Sequence, residues 1–417
     1  MVKRIIHDGD IFEPDLLDEY QIDQANDIAK VKRKNLLSGE EDEGFDYRVS
    51  FVGFVTNKEN DFLVVLPKHY RIDANSFNQD CSILFKCISH YYQRKKTTYL
   101  GSKKGDEWSS NYPFAPFFGV YDYYLKYGLY FDKQDALNQR TGGKIDWKST
   151  IRLSKKYVAD NKVVMFPFLR KVSVSAETFL TICMAFIIDY TAEKFGSFLN
   201  IETIEYEIPK IDLNSGRKRI LDELLRLKKK VFNDEKISLI QNMIEFFSQL
   251  NEGGSYYLKQ YNFAAIWEEI SRYYVSNHFD GISSCGSIEL SLCEKTKKSF
   301  DKPSFNPNLS KPDEFIQPDC YFVENNIQYV LDAKYYLNVG GIMYKELSYM
   351  FLLTNFRDSL SSNPKYEKTV GALLLPSDHW ETKINFKMDP LYNNEFSGVT
   401  LFEEYLDIKD VILYYIH

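Results

Sequence analysis

The residues best suited to chemistry lie in Gln317-Pro-Asp-Cys-Tyr-Phe-Val-Glu-Asn-Asn-Ile-Gln-Tyr-Val-Leu-Asp-Ala-Lys-Tyr335. Cys320 to Val323 and Ile327 to Ala333 are strand formers joined by Glu324-Asn325-Asn326, so the pattern predicts a β-hairpin. With Asn325 and Asn326 at the centre of the turn, antiparallel pairing joins position i to 651 minus i and sets Asp319 opposite Asp332. Side chains alternate along a strand, so Asp332 and Lys334 share a face while Ala333 points the other way, toward packing. Two facing carboxylates repel unless a cation sits between them, and a hard divalent ion such as Mg²⁺ takes carboxylate, carbonyl and water oxygens. The amine of Lys334 beside such an ion orients or deprotonates an attacking water and offsets charge developing on a phosphate. Metal, lysine and paired carboxylates make a phosphodiester hydrolysis site. The plainer alternative is an Asp319 that begins a strand and an edge-strand ion pair between Asp332 and Lys334.

Such a hairpin needs elements behind it. Phe263, Ile266, Trp267, Ile270 and Tyr274 form the apolar stripe of a helix, with Glu268 and Glu269 falling to either side. Helical geometry alone does not choose between these two acids. Gly253-Gly254 breaks the helical pattern upstream and marks a boundary, giving a last domain over 251–417. Residues 46–250 read as an α+β region for recognition or partner docking. Arg48 to Val55 and Asp61 to Pro67 suggest a hairpin, Phe77 to Tyr91 a helix, and Ser175 to Phe195 a buried helix. Two further helices follow, the basic Arg217 to Lys230 and Ile237 to Leu250. Residues 1–45 are dominated by charge and read as an exposed extension.

The 417 residues carry 52 Lys and Arg against 59 Asp and Glu, a formal charge of −7. That balance argues against a diffuse polybasic coat, so any nucleic acid must meet a locally basic cleft. The candidate contacts are Arg140, Lys144, Lys148 and Arg152 around Gly142-Gly143, and Lys295, Lys297 and Lys298; a turn into a core segment carrying Trp147 explains the first group equally. No span reaches the roughly 18 apolar residues of a membrane helix, and no secretory signal opens the chain, so a cytoplasmic protein without membrane contact is expected. The six cysteines form no CxxC pair; buried thiols are the default, with a zinc cluster using His278 as the alternative.

Pro318-Asp319 followed by Asp332-Ala333-Lys334 resembles the PD-(D/E)XK nuclease superfamily. The resemblance implies an α/β C-terminal nuclease core, a mixed sheet with flanking helices. It lays Phe263 to Phe279 on the first helix, Ser287 to Glu294 on the first strand and the hairpin on the second and third strands. Ile342 to Phe356 becomes the next helix and Thr369 to Leu375 the fourth strand, with Lys295 to Pro312 as an insertion of little regular structure. It favours Glu268 as the acidic partner, leaves Lys345 and Glu346 as secondary candidates, and expects a glutamine on the later helix that this chain lacks. The implied metal set is Asp319, Asp332, the Ala333 carbonyl and Glu268, with Mg²⁺ as cofactor and Mn²⁺ able to substitute.

Phe51-Val-Gly-Phe54, Leu66-Pro-Lys-His-Tyr70, Gly143-Lys-Ile-Asp-Trp-Lys-Ser-Thr-Ile151, Ile266-Trp-Glu268 and Leu331-Asp-Ala-Lys-Tyr335 are similar to LlaJI-type restriction endonucleases, themselves similar to the nuclease subunit of McrBC-like systems. This likeness implies a type II-like restriction endonuclease that cleaves double-stranded DNA in defence against phage. Implied partners are a cognate DNA methyltransferase, a second copy in a homodimer, and a McrB-like nucleotide-hydrolysing motor. The chain has no Gly-x-x-x-x-Gly-Lys-Ser/Thr loop, so such a motor is a separate polypeptide. Other readings are a repair or nicking endonuclease, and a catalytically inactive DNA-binding or assembly subunit.

Overall fold

The computed structural model describes residues 2–20, 22–34, 41–59, 61–73, 75–94, 107–139, 144–159, 162–204, 206, 213–251, 255–311, 313–354, 365–392 and 399–417. Arg140, Gly142-Gly143, Gly253-Gly254, Pro312 and Phe356 lie outside the described residues.

Residues up to 112 contain β1 (Val2–His7), α1 (Asp15–Glu19), β2 (Ile28–Lys34), β3 (Glu41–Val49), β4 (Val52–Thr56), β5 (Phe62–Leu66), α2 (Phe77–Arg94) and β6 (Trp108–Ser110). Then come α3 (Phe114–Tyr127), β7 (Asp132–Asn138), β8 (Lys144–Ile145), α4 (Trp147–Leu153), β9 (Lys155–Ala159), β10 (Lys162–Phe166) and β11 (Arg170–Ala176). Helices α5 (Phe179–Leu199), α6 (Leu213–Lys228) and α7 (Asp234–Gln249) complete that stretch. The remainder holds β12 (Tyr257–Gln260), α8 (Phe263–His278), β13 (Phe279–Ile282), β14 (Ile288–Leu290), β15 (Cys320–Glu324) and β16 (Ile327–Ala333). It ends with α9 (Tyr344–Thr354), β17 (Lys368–Ser377), β18 (Glu381–Lys387), β19 (Thr400–Asp407) and α10 (Ile408–Ile416).

Two compact units result: 1–112 together with 251–417, and 113–250. The chain thus divides at 112 and 250, whereas the sequence suggests 1–45, 46–250 and 251–417. β1 pairs in parallel with β5, because Ile5 and Ile6 lie beside Val64 and Val65, so the N-terminus is a strand and not an extension. Leu16 and Tyr20 join Val49, Phe51, Val55, Leu63 and Val65 in one core cluster. Residues up to 112 belong with 251–417 because β12 pairs with β4 on one side and β6 on the other.

The first sheet of this unit has the order β1-β5-β4-β12-β6. β4 and β5 are buried at every position, the pattern of a strand covered on both faces. Gly53 is required where β4 meets β12, since a Cβ there would lie 1.8 Å from the Leu258 carbonyl oxygen. The buried ion pair between Lys259 and Asp27, 2.5 Å long and joined by the Tyr261 hydroxyl, ties the N-terminal segment to β12. α2 packs on α10 and α8, with the Arg94 guanidinium over the rings of Tyr273 and Tyr415 and Lys409 2.7 Å from Asp80.

The second sheet, β15-β16-β17-β19-β18, is mixed. β16, β17 and β19 run parallel, and the outer β15 and β18 run antiparallel to their neighbours. The expected first strand, Ser287 to Glu294, is not part of it: Ile288–Leu290 pairs with Phe279–Ile282 in a separate two-stranded sheet. Gly286, at φ 96°, closes a local hairpin, which keeps that pairing between near neighbours in sequence. The outer edge of β15 is met instead by Asp301, whose backbone exchanges both hydrogen bonds with Tyr321, and Phe305 pairs with Ile316 further along.

In the 113–250 unit, aromatic contacts knit the helices, Phe114 to Phe195 and Phe186 to Phe247. Much of the charge on basic helix α6 is engaged internally: Arg217 donates to the Leu250 carbonyl, Arg226 pairs with Glu223 and Lys228 donates to Gln241.

Candidate active site

Cys320 pairs with Leu331, so the hairpin runs in the register that brings Asp319 opposite Asp332. Asn325 and Asn326 hold φ values of 50° and 63°, the left-handed pair that a two-residue type I′ turn demands. The Ala333 amide donates to Asp319 Oδ2 at 3.1 Å, and the Lys334 amide donates to the Leu374 carbonyl at 3.0 Å. Both ends of the active segment are thereby fixed by backbone.

Helix α8 supplies Glu268. Trp267 is fully buried and its indole N–H donates to the same Leu374 carbonyl, which pins the helix against β17 and turns the next residue toward the hairpin. Glu268 Oε1 and Asp319 Oδ1 accept from one ammonium, that of Lys302, at 2.6 and 2.8 Å. Glu269 points elsewhere and pairs with Arg272.

Lys334 forms ion pairs with Asp332 and, at 2.8 Å, with Glu346 on α9. α9 lies close because Met350 rests over Gly371, where a Cβ would come 2.0 Å from its sulfur. Lys345 lies over the Tyr349 ring and away from this cluster. Burial works against the charge on Lys334, yet Asp332 and Glu346 outweigh it and hold the ammonium above the ordinary lysine range. In the metal-free protein Lys334 is thus held as an ammonium that donates to two carboxylates. Burial, then the charge of Asp319, pushes the Asp332 carboxyl up to about 6.

Among the described residues no three His, Cys, Asp or Glu side chains are arranged to hold a metal ion, and two ammonium groups between them pair with one oxygen each of Glu268, Asp319, Asp332 and Glu346. The donor chemistry nevertheless fits a hard divalent cation: Glu268 and Asp319 already share one cation, and Asp332 sits close enough to feel the charge of Asp319. The raised Asp332 carboxyl sets a pH dependence. Its folded value exceeds the ordinary 3.8, so the metal-free protein binds the extra proton and loses stability as pH rises from about 4 to about 6. A divalent ion held by Asp332 would have to displace that proton. Affinity measured by titration calorimetry should fall about tenfold per pH unit below pH 6, and a flat profile between pH 5 and 7 would contradict this.

The basic candidates make other contacts. Lys295 pairs with Asp280 and Lys298 with Glu324, while Lys297 lies over the Tyr273 ring. Lys144, Lys148 and Arg152 are exposed in the other unit, and Trp147 beside them is 57% exposed, so this segment does not close a core. Reversing Lys144 and Lys148 to Glu should weaken duplex binding by roughly tenfold at 0.1 M salt with an unchanged melting curve; unchanged affinity would remove this segment from the DNA contacts. His278 stacks on Tyr274 with its Nδ1 2.8 Å from the Ser291 carbonyl oxygen, and among the described residues no group of three or more His, Cys, Asp or Glu could hold a metal ion. Sequence reasoning missed Lys302 altogether and ranked Glu346 too low. Lys302 sits in an irregular stretch with no period to read, and its one local cue is the following Pro303, which favours extended backbone alongside β15.

The family model of the LlaJI restriction endonuclease matches residues 51–417. The chain belongs to this family. Membership makes it a nuclease of a restriction system. It is also similar to a solved structure of Thermococcus gammatolerans McrB AAA+ hexamers with bound McrC, at 12% identity and TM-score 0.36 over 99% of this chain and 98% of the other. A cryo-EM structure of the McrBC complex from the same organism matches at 12% identity and TM-score 0.20, over 61% of this chain and 82% of the other. No curated protein matches. In this LlaJI-family chain the Leu66-Pro-Lys-His-Tyr70 segment touches the residues after the catalytic candidates: the Lys68 amide donates to Tyr335 Oη at 2.8 Å, and His69 Nε2 lies 3.2 Å from the Tyr336 carbonyl. No helix among the described residues is long and apolar enough to cross a membrane.

Proposed function

We propose that this chain is a Mg²⁺-dependent, type II-like endodeoxyribonuclease of the PD-(D/E)XK kind, cutting double-stranded DNA in a phage-defence system. The observation that supports the reading most is the hairpin register, which sets Asp319 opposite Asp332 with Lys334 paired to Asp332 and Glu268 joined to Asp319 through one ammonium. Asp319, Asp332, Glu268 and the Ala333 carbonyl would hold the ion. Bound Mg²⁺, or Mn²⁺ in its place, supplies Lewis acidity to the phosphodiester and activates water at neutral pH. Lys334, kept cationic by Asp332 and Glu346, orients the attacking water and offsets negative charge gathering on the phosphate. Asp319 Oδ2, held by the Ala333 amide, fixes the carboxylate so that little reorganisation is needed.

The sequence resemblance to McrBC-like systems further supports a McrB-like motor as a separate subunit and a cognate methyltransferase in the same system; a homodimer would let two such sites cut both strands. The test incubates the purified chain with methylated and unmethylated duplex DNA, in Mg²⁺ or EDTA, with and without a candidate motor. Mg²⁺-dependent double-strand breaks on unmethylated DNA are expected. Nicks alone would make it a nicking enzyme, and cleavage that persists in EDTA would sink the metal assignment.

A further inference from the structure

Lys302 presents a cation at the position where the proposed function needs another. Its ammonium bridges Glu268 Oε1 and Asp319 Oδ1, so those oxygens lie no further apart than the sum of its two contacts of 2.6 and 2.8 Å. A Mg²⁺ ion bound by the same two oxygens would sit about 2.1 Å from each, leaving no room for the ammonium between them. Occupancy by one cation excludes the other.

The backbone beneath Lys302 is fixed. Asp301 exchanges backbone hydrogen bonds with Tyr321 at 2.9 and 2.8 Å, and Gln317 Nε2 donates to the Lys302 carbonyl at 3.3 Å. The side chain, by contrast, is 32% exposed, and a four-carbon stem lets the ammonium swing once its two carboxylates release it. Displacement therefore moves the ammonium and not the strand edge, and the released charge stays within a side chain's length of the carboxylates.

Building on that reading of the site, we propose that Lys302 is an exchangeable counterion. Before metal arrives it holds Glu268 and Asp319 in place against their mutual repulsion. When the ion enters, Lys302 gives up both carboxylates and turns to a phosphate of the bound duplex beside the ion. One residue thus serves assembly of the empty site and contact with the loaded substrate, and metal binding and DNA binding are coupled through it.

Titration calorimetry with Mg²⁺ alone, and duplex binding in Ca²⁺, which suppresses turnover, give the two readouts. Lys302→Gln should bind Mg²⁺ at least about threefold more tightly than wild type, because no resident cation competes, and should bind duplex DNA about threefold more weakly. Lys302→Arg, which keeps the charge, should bind Mg²⁺ like wild type. A merely structural ion pair predicts the opposite sign: Lys302→Gln would loosen the carboxylates and weaken Mg²⁺ binding. Equal or weaker Mg²⁺ affinity in Lys302→Gln, beside measurable wild-type binding, overturns the inference alone; a wild-type chain that binds no divalent ion overturns the metal site on which it rests. Should Lys302→Gln fail to fold in the absence of metal, Lys302→Met supplies the comparison at matched length, and a melting temperature that Mg²⁺ raises no more in Lys302→Met than in wild type counts against the exchange.

Discussion

Asp332→Asn and Lys334→Met are both expected to remove cleavage, and they should separate on metal. Asp332→Asn takes away a ligand and abolishes divalent-ion binding and cutting together. Lys334→Met leaves the ligand set intact, so calorimetry should still detect the ion while turnover falls by roughly 10²–10³-fold, the usual cost of one lost charge-stabilising donor. Lys334→Met should lower stability as well. Asp332 and Glu346 are buried at 4% exposure each and both rely on Lys334, so its loss strands two facing carboxylates at about 3–5 kcal/mol in the metal-free protein. Protonation relieves that repulsion, so the melting temperature of Lys334→Met should trail wild type less at pH 5 than at pH 7.5. Wild-type nicking rates in Lys334→Met, or loss of all metal binding there, would end the assignment.

The second large effect concerns what counts as the nuclease core. A chain beginning at residue 251 should not fold, although it contains every candidate catalytic residue. It would lose β4 and β6 from both sides of β12, the α2 helix that covers α8 and α10, and the Lys68 and His69 contacts to Tyr335 and Tyr336. Replacing 113–250 by a short Gly-Ser linker should instead give a folded protein with the metal site preserved, since β6 and β12 are antiparallel neighbours and Asn111 Nδ2 donates to the Ser255 carbonyl at 2.7 Å. Circular dichroism and thermal melts of the two variants decide this. A cooperative melt with wild-type Mg²⁺ affinity for 251–417 alone would show that the N-terminal sheet is dispensable.

What could be read in the sequence was local. The Asn325-Asn326 turn carries its own register, and the stripe through Ile266, Trp267 and Ile270 announces α8. The hairpin of β4 and β5 and the helices α2, α5, α6 and α7 also follow from period and composition, whereas β17 is expected only from the superfamily resemblance. Long-range pairing has no such local mark. Nothing in Tyr257-Leu-Lys-Gln260 says that its partners are Val52 to Val55 and Trp108 to Ser110, so the reading of 46–250 as a region for recognition or partner docking does not reveal the strands it shares a sheet with. Lys302 and Glu346 were obscured for a related reason: their value comes from the carboxylates and ammonium they meet in space, not from spacing along the chain.

The pairing of β4 with β12 also governs when the enzyme comes into being. Thr56 and Tyr256, hydrogen-bonded to each other, are 200 residues apart. At about 5–20 residues per second, a ribosome takes roughly 10–40 s to cover that distance. Throughout this interval β4 and β5, buried at every position in the finished protein, wait without the strand that closes over them. Asp319 to Lys334 emerge later still. Nascent chains are thus vulnerable to aggregation throughout this interval, and slowing synthesis at constant temperature should lower the yield of folded protein.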